Sequence, residues 1–171
     1  MTSNPLRLQQ VTALPGQKLH LVFADGWSAE VDLSGWIAET RALQPLADPV
    51  LFAQPRLSEW GTGVEWIPDT LDLGADNLRH LAVEQAGGIG HERLCNWMYA
   101  CGLTQQQAAD AVGISRRMLN YYLSAARPIP KTVWLACVGW QAEQAQRRAQ
   151  VRTARRRGTA AAHSTGTPLH A

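Results

Sequence analysis

Four hydrogen-bonding side chains fall on one side of a predicted short helix over residues 116–123. At about 100° per residue, they cover an arc of about 140°, and the opposite arc is apolar. Arginine can pair bidentately with guanine, and asparagine can pair in the same way with adenine. This polar face therefore suits base edges and phosphates, and its members are Arg116, Arg117, Asn120 and Tyr121.

The residues before this helix predict a second helix and a tight turn. Thr104 is a good N-cap, and residues 105–112 favour a short helix. Gly113 permits the left-handed backbone that ends this helix, and Ser115 then caps the next one. Ala109 is small enough for the two helices to cross closely. We therefore expect two packed helices that hold the polar face outward.

From about Arg93 to Trp140, the sequence resembles the lambda-repressor-like (Cro/C1) helix-turn-helix family. The resemblance implies that the helix from Arg116 to Leu123 lies in the major groove, with Gln105 near the DNA backbone at its start. It also implies a homodimer on paired half-sites. The resemblance rests on Thr104-Gln105, Ala109, Gly113, Ile114-Ser115 and Leu119.

The segment after the second helix departs from that family. Members commonly have a glycine-containing turn there, whereas this chain has Ser124-Ala125-Ala126-Arg127. The departure concerns the geometry of this loop and leaves the motif itself intact.

Positive charge is concentrated in the second half of the chain. Residues 1–85 hold five basic and eleven acidic side chains, whereas residues 86–171 hold eleven basic and three acidic ones. A basic half favours a polyanionic partner such as duplex DNA. The final basic segment predicts salt-sensitive phosphate contacts, through Arg147, Arg148, Arg152, Arg155, Arg156 and Arg157.

The first half of the chain predicts a small α+β domain. Apolar alternation predicts strands within residues 8–33, with a hairpin turn at Asp25-Gly26. The remaining patterns predict a helix capped by Ser34 that runs to Arg41, another capped by Asp48 that runs to Ala53, a second extended pair at 56–60 and 64–67, and a helix over 76–85.

Four segments of this half carry a further resemblance: LVFADG at 21–26, VDLSGW at 31–36, LADPVLFAQPRL at 46–57 and VEWIPDTLDLGADNL at 64–78. On these segments the chain, from about Val11 to Leu78, resembles the family catalogued as domain of unknown function 2442. The family name implies no activity, although some members are fused to a C-terminal helix-turn-helix. Its small-protein members imply antitoxin-like or autoregulatory neighbourhoods.

The cysteines and histidines predict neither a disulfide framework nor a metal site. Cys95, Cys101 and Cys137 lie within apolar helical patterns, which favours reduced and buried thiols. His91 precedes Cys95 by one helical turn, but the chain has no paired cysteine spacing. We therefore expect no metal and no cofactor.

Other candidate site residues are also explained more simply by packing and turns. The tryptophans of the first half could line a ligand pocket, but in a small domain we favour core packing for Trp27, Trp36, Trp60 and Trp66. Asp25, Asp69 and Asp72 show no acid and base arrangement, and the sequence therefore predicts a protein without enzymatic activity.

Together these patterns predict an α+β chain in three parts. Residues 1–85 form a small α+β domain with β-hairpins, residues 86–146 form an all-α helix-turn-helix domain, and residues 147–171 form a basic, disordered tail. The chain lacks the run of about 20 apolar residues that spans a bilayer, so we expect no membrane partner and a cytoplasmic, nucleoid-associated protein.

Two functions fit this organisation. The first is a sequence-specific transcription regulator that binds duplex DNA as a homodimer, with the N-terminal domain serving dimerisation, a protein partner or an effector. The second is a protein-interaction adaptor in which the helix-turn-helix is only a scaffold. Steep salt dependence of duplex binding would distinguish the regulator from the adaptor.

Overall fold

β-Hairpin sheets build the first half of the chain, and helices build the second. The computed structural model describes residues 4–162, with side-chain surroundings given for residues 4–155. Two three-stranded antiparallel sheets, each with its strands in sequential order, precede the helical half. The predicted α+β class is confirmed. Within the described residues, no helix has the length and apolar character needed to cross a membrane.

The first sheet follows from strict apolar alternation. It contains β1 (Leu8–Leu14), β2 (Lys18–Phe23) and β3 (Ser28–Asp32). The predicted buried face is confirmed, because Leu19, Leu21 and Phe23 on β2 are all fully buried. The turn at Asp25-Gly26 joins β2 to β3, as the sequence predicts.

Three short helices connect the first sheet to the second along the chain. They are α1 (Ser34–Glu39), a 3-10 helix (Arg41–Ala47) and α2 (Pro49–Phe52). Asp48 caps α2 as predicted, because its carboxylate accepts the Val50 N–H at 2.9 Å. The prediction for α1 is wrong: Ser34 is its first residue, and its N–H and hydroxyl both donate to Oδ1 of Asp32. The carboxylate two residues earlier thus binds the Ser34 hydroxyl and the first N–H of α1, and the Ser34 side chain makes no cap hydrogen bond of its own.

The second sheet contains one strand more than the sequence predicts. β5 (Gly63–Ile67) matches its prediction, whereas β4 (Arg56–Leu57) is shorter than the predicted segment 56–60, because a 3-10 helix (Glu59–Gly61) follows it. β6 (Leu71–Gly74) adds to β5 before α3 (Ala75–Gln85). A strand of four residues is too short to give a clear alternation. Trp60 also differs from the core prediction, since it lies between β4 and β5 and is 73% exposed.

The helical half contains four helices around a separate core. They are α4 (His91–Cys101), α5 (Gln105–Val112), α6 (Arg116–Leu123) and α7 (Lys131–Ala162). The first core ends at Ala82 on α3 and the fully buried part of the second begins at Leu94 on α4. The change of core falls near residues 85–86, where the sequence predicts the domain boundary.

A polar network joins α3 to α4 across this boundary. The carboxylate of Glu84 accepts the Gly90 N–H at 2.7 Å and also pairs with Arg93. Asn77 Nδ2 donates to Glu92 Oε1 at 3.0 Å. These bonds connect the last helix of the first half to the start of the second half.

The end of the chain differs from the disordered tail predicted from residue 147. α7 continues through residues 147–162, because this segment is rich in alanine and arginine, which favour helix. The rest of the predicted tail, 163–171, lies outside the described residues.

The cysteines only partly match the prediction of buried thiols. Cys137 on α7 is fully buried, and burial raises the pKa of its thiol to about 11. Cys101 is half-buried, but Cys95 is exposed on α4. The helical pattern identified their helices correctly, whereas it placed Cys95 on the wrong side.

Candidate nucleic-acid interface

The turn between α5 and α6 is built by the residues that the sequence singles out. Thr104 accepts the Gln107 N–H, and the Gln107 side chain accepts the Thr104 N–H, which forms a capping box at the start of α5. Gly113 ends α5 with a φ of 73°, in the left-handed region. Ser115 then caps α6 by accepting the Met118 N–H at 3.1 Å. All three predicted turn and cap residues are confirmed.

Small and apolar side chains hold the two helices together beneath this turn. Ala108 and Ala109 on α5 are fully buried, as is Leu119 on α6, and Tyr122 is nearly so. The two alanines allow α5 and α6 to approach closely, which leaves no room for a polar side chain between them. One side of α6 is therefore fixed in the core.

The opposite side of α6 carries the predicted polar face. Arg116, Arg117 and Asn120 are exposed, and Tyr121 is half-buried. Arg117 Nε donates to the Tyr121 hydroxyl at 2.9 Å, which joins two members of the face. Guanidinium and amide groups on a packed helix can present hydrogen-bond donors in a defined direction.

The remaining predicted contacts near α6 lie at the N-termini of the two helices. Gln105 is exposed at the start of α5. Ser115 is exposed too, but its hydroxyl oxygen already accepts the Met118 N–H within the cap. Ser115 therefore stabilises the N-terminus of α6, in addition to lying among the predicted contact residues.

Arg127 is a member of this surface that sequence reasoning missed. Its guanidinium carbon lies 5.4 Å from the Tyr121 ring centroid, and that of Arg117 lies 5.5 Å from the same ring. The Arg127 N–H also donates to the Tyr121 carbonyl at 3.2 Å. The available signal was an arginine in the loop after α6, but for this loop the sequence-based prediction considered only the missing glycine.

That loop takes a left-handed turn without glycine. Ala125 has a φ of 55°, and the Ala125 N–H donates to the Tyr122 carbonyl at 3.1 Å. An alanine in this region is strained by its Cβ atom. The chain thus forms at Ala125 the kind of turn for which the resembled family uses glycine.

Replacing this alanine should stabilise the protein. Ala125→Gly is expected to raise the free energy of unfolding by roughly 0.5 to 1 kcal/mol, because the relief of strain exceeds the added freedom of the unfolded chain. Thermal or urea unfolding of the full chain measures the change. Ala126→Gly is the control, because Ala126 is the exposed neighbour and has no positive φ. A destabilised Ala125→Gly protein would contradict this account of the loop.

The basic residues of the last segment lie on α7. Arg147, Arg148, Arg152 and Arg155 are exposed, and Arg147 pairs with Glu143 at 3.6 Å. Among residues 4–155, no hydrogen bond or ring contact joins Arg148 or Arg152 to the polar face of α6. The side chains of Arg156 and Arg157 lie outside the described part of the chain.

Negative charge is sparse around the polar face. The acidic residues of the second half are Glu92, Asp110 and Glu143. Asp110 accepts a hydrogen bond from Gln106 Nε2 at 2.9 Å, and Glu92 and Glu143 lie on α4 and α7. Because α6 itself holds two arginines and no acidic residue, its exposed side favours an anionic partner.

These features define a class of protein: an N-terminal pair of β-sheets followed by a helical module with a basic surface on its third helix. Residues 8–84 match the family model described as "Protein of unknown function (DUF2442)". This confirms the N-terminal resemblance and extends it at both ends. No curated protein matches the chain.

A solved structure covers both halves. It is described as "Putative DNA Binding Protein" from Nitrosomonas europaea, with 40% sequence identity and a TM-score of 0.74. The match covers 80% of this chain and 86% of the Nitrosomonas chain. The chain therefore belongs to the family of this protein, with residues 8–84 as its DUF2442 segment. Since that segment ends before α4, the likeness of the helical half to lambda-repressor-like proteins stays a prediction.

Proposed function

We propose that this protein is a sequence-specific DNA-binding transcription regulator that reads DNA with α6. The observation that carries the proposal is the division of α6 into a fully packed side and a polar side. A helix held in this way can present donors to base edges with little loss of conformational freedom. The description of the Nitrosomonas relative as a DNA-binding protein supports the same function.

In this proposal, α5 and α6 form a lambda-repressor-like helix-turn-helix. α6 enters the major groove, where Arg116, Arg117 and Asn120 meet base edges. Gln105 and Ser115 lie near the DNA backbone at the helix N-termini, and Tyr121 adds a hydroxyl at the edge of the polar face. The α7 arginines add phosphate contacts that carry no sequence information.

The biological setting follows from that mode of binding. A small regulator of this type acts at the nucleoid in the cytoplasm, and the resemblance of the N-terminal domain favours an autoregulatory or antitoxin-like role. The proposal includes no enzymatic activity, because no nucleophile is paired with a base in the sequence pattern.

Salt dependence of binding separates this function from the adaptor alternative. With about six phosphate contacts, the full chain is expected to lose about 10³-fold in duplex affinity between 50 and 200 mM salt. Fluorescence anisotropy with a labelled random duplex measures the slope. An adaptor whose helical half is only a scaffold gives no saturable duplex binding at either salt concentration.

We also propose that the protein acts as a homodimer through α7. One side of α7 packs on the core through Trp134, Cys137 and Trp140. A second side carries apolar residues at alternating spacings of three and four, within an arc of about 80°. Every residue of this second stripe is exposed: Leu135, Val138, Ala142, Ala145 and Ala149.

The second copy of the chain fits this stripe better than a charged partner does. Leu135 is 55% exposed and Val138 is 45% exposed, so both leave apolar area uncovered in one copy. A spacing of three and four residues matches the seam of two paired helices. A dimer would also supply the second recognition helix that paired half-sites require.

Charge on this stripe should separate the two copies. Leu135→Glu with Val138→Glu is expected to convert a dimer to a monomer, because buried unpaired carboxylates are costly. Light scattering after size exclusion measures the mass. Val151→Glu is the matched control, since Val151 is 60% exposed and lies about 160° around α7 from Leu135. A wild-type chain that is monomeric at micromolar concentration would contradict the proposed dimer.

A further inference from the structure

A cavity lies at the junction of the two halves, beside the loop that follows α6. Its volume is about 430 Å³, which is within the usual range for small-molecule sites. The first half contributes Trp27 and Val83, and the second contributes Ile89, Tyr122, Pro128 and Ile129. The walls are thus largely apolar and come from both cores.

Two charged side chains of the cavity wall, Asp25 and Arg79, pair with each other. Asp25 forms two hydrogen bonds with the Arg79 guanidinium, at 2.9 and 3.1 Å. Burial alone would raise the pKa of Asp25, but hydrogen bonds from Arg79 and from the Trp27 N–H outweigh it and lower that pKa. The Asp25 carboxylate and the Arg79 guanidinium therefore neutralise each other.

Of the two other polar residues in the wall, His91 favours its neutral form and Arg127 carries a positive charge. Burial lowers the pKa of His91, which favours its neutral form. Arg127 also lines the cavity, and no carboxylate among residues 4–155 forms an ion pair with it. The lining therefore combines an apolar body with one solvent-exposed arginine that no carboxylate of the described residues pairs with.

Arg79 belongs to this wall, but its Nε–H is buried away from the cavity space. It is only 8% exposed, and its guanidinium lies 4.1 Å from the Trp27 ring centroid. Its Nε–H has no hydrogen-bond acceptor among the described residues. Because this atom is shut off from solvent, it does not serve as a donor to a ligand in the cavity.

We infer that this cavity binds a small aromatic carboxylate. The apolar walls and the half-buried Trp27 suit a planar ring, and Arg127 supplies charge for the carboxylate. Asp25 is already paired, so it does not repel the anion with a full free charge. A neutral molecule of the same shape would keep the apolar contacts but lose the charge-assisted ones.

The loop after α6 connects the cavity to the polar face of α6, so a bound ligand can influence that face. Residues 125–129 form both the loop after α6 and one wall of the cavity. Arg127 in this loop contacts the ring of Tyr121, a member of the α6 polar face. Ligand binding is therefore expected to change duplex affinity. This regulatory step rests on the proposed function, whereas the binding step does not.

Calorimetric titration of the full chain tests the binding step without DNA. Salicylate is expected to bind saturably at about millimolar concentration, as is usual for a ligand of this size. Salicylamide, which has the same ring but no charge, is expected to bind at least about tenfold more weakly. Equal binding of the two, or no binding of salicylate, overturns the inference.

Two variants tie that binding to this cavity. Ala86→Phe fills the rim and is expected to weaken salicylate binding at least about tenfold, since Ala86 is exposed and lines the cavity. Ala38→Phe, on the exposed side of α1, is the control and should bind normally. Arg127→Gln should reduce salicylate binding to the level of salicylamide. Normal salicylate binding by Ala86→Phe overturns the site assignment.

The regulatory step is measured with DNA present. Saturating salicylate is expected to shift the duplex affinity of the wild-type chain by at least about fivefold, and that of Ala86→Phe by less. Salicylate binding without any such shift overturns the regulatory step. Failure of the ligand-free chain to bind duplex overturns the proposed function instead. The calorimetric titration, which contains no DNA, still decides whether the cavity binds salicylate.

Discussion

Arg117→Ala is expected to lower affinity for the preferred duplex by about 10- to 100-fold while lowering affinity for random duplex much less. Arg117 lies on the exposed side of α6, and its Nε–H is held by the Tyr121 hydroxyl. A side chain that is aimed in this way meets one base edge, so its loss should relax base preference at one position of each half-site. Titration against single-base variants of the duplex measures this effect.

Other arginines provide the controls for that result. Arg148→Gln with Arg152→Gln should weaken all duplexes by a similar factor, because flexible side chains on exposed α7 meet phosphates regardless of sequence. Arg56→Ala, on exposed β4 of the acidic half, should change neither affinity nor preference. If Arg117→Ala lowers preferred and random binding equally, Arg117 contacts phosphate and α6 is rotated relative to our proposal.

Gly61→Ala is expected to destabilise the first half of the chain by about 3 kcal/mol or more. Gly61 has a φ of 68°, and a Cβ atom there would lie 2.2 Å from the carbonyl oxygen of Leu8. Leu8 is buried at the start of β1, so neither side of this contact can move without disturbing the first core. Urea unfolding of the full chain, followed by circular dichroism, measures the loss.

Gly16→Ala separates backbone strain from the steric clash. Gly16 has a φ of 78°, but a Cβ atom there would meet nothing within 4 Å. Its replacement should therefore cost only the left-handed strain, about 1 kcal/mol. Equal destabilisation by the two substitutions would mean that the 60–61 turn can move away from β1, contrary to the packing described here.

Local patterns predicted most of the helical half because each signal acts over a few residues. The Thr104 and Ser115 caps, the turn at Gly113 and the two sides of α6 all depend on neighbours within one or two helical turns. The structure places each of these features where the spacing indicates. The alternation of β2 predicted the first sheet for the same reason.

Features that depend on distant contacts could not be predicted in this way. The exposure of Trp60 accompanies its left-handed backbone, with a φ of 64°, in the segment between β4 and β5. The cap of α1 is a different case, because Asp32 lies only two residues before Ser34 and competes with it as a local acceptor. The cavity needs α3, the turn at Asp25 and the loop after α6 to come together. The position of Arg127 against Tyr121 likewise depends on the left-handed turn at Ala125, which the sequence alone does not favour.

Selection of bound sequences from a random duplex pool by the full chain tests the central claim most directly. We expect enrichment of a palindromic motif, with half-sites centred about one helical turn apart, because two copies of α6 would read equivalent bases. Arg117→Ala should lose preference at one position of each half-site. Recovery of sequences no different from the starting pool, at low salt and with a folded protein, would contradict the claim that α6 reads DNA sequence.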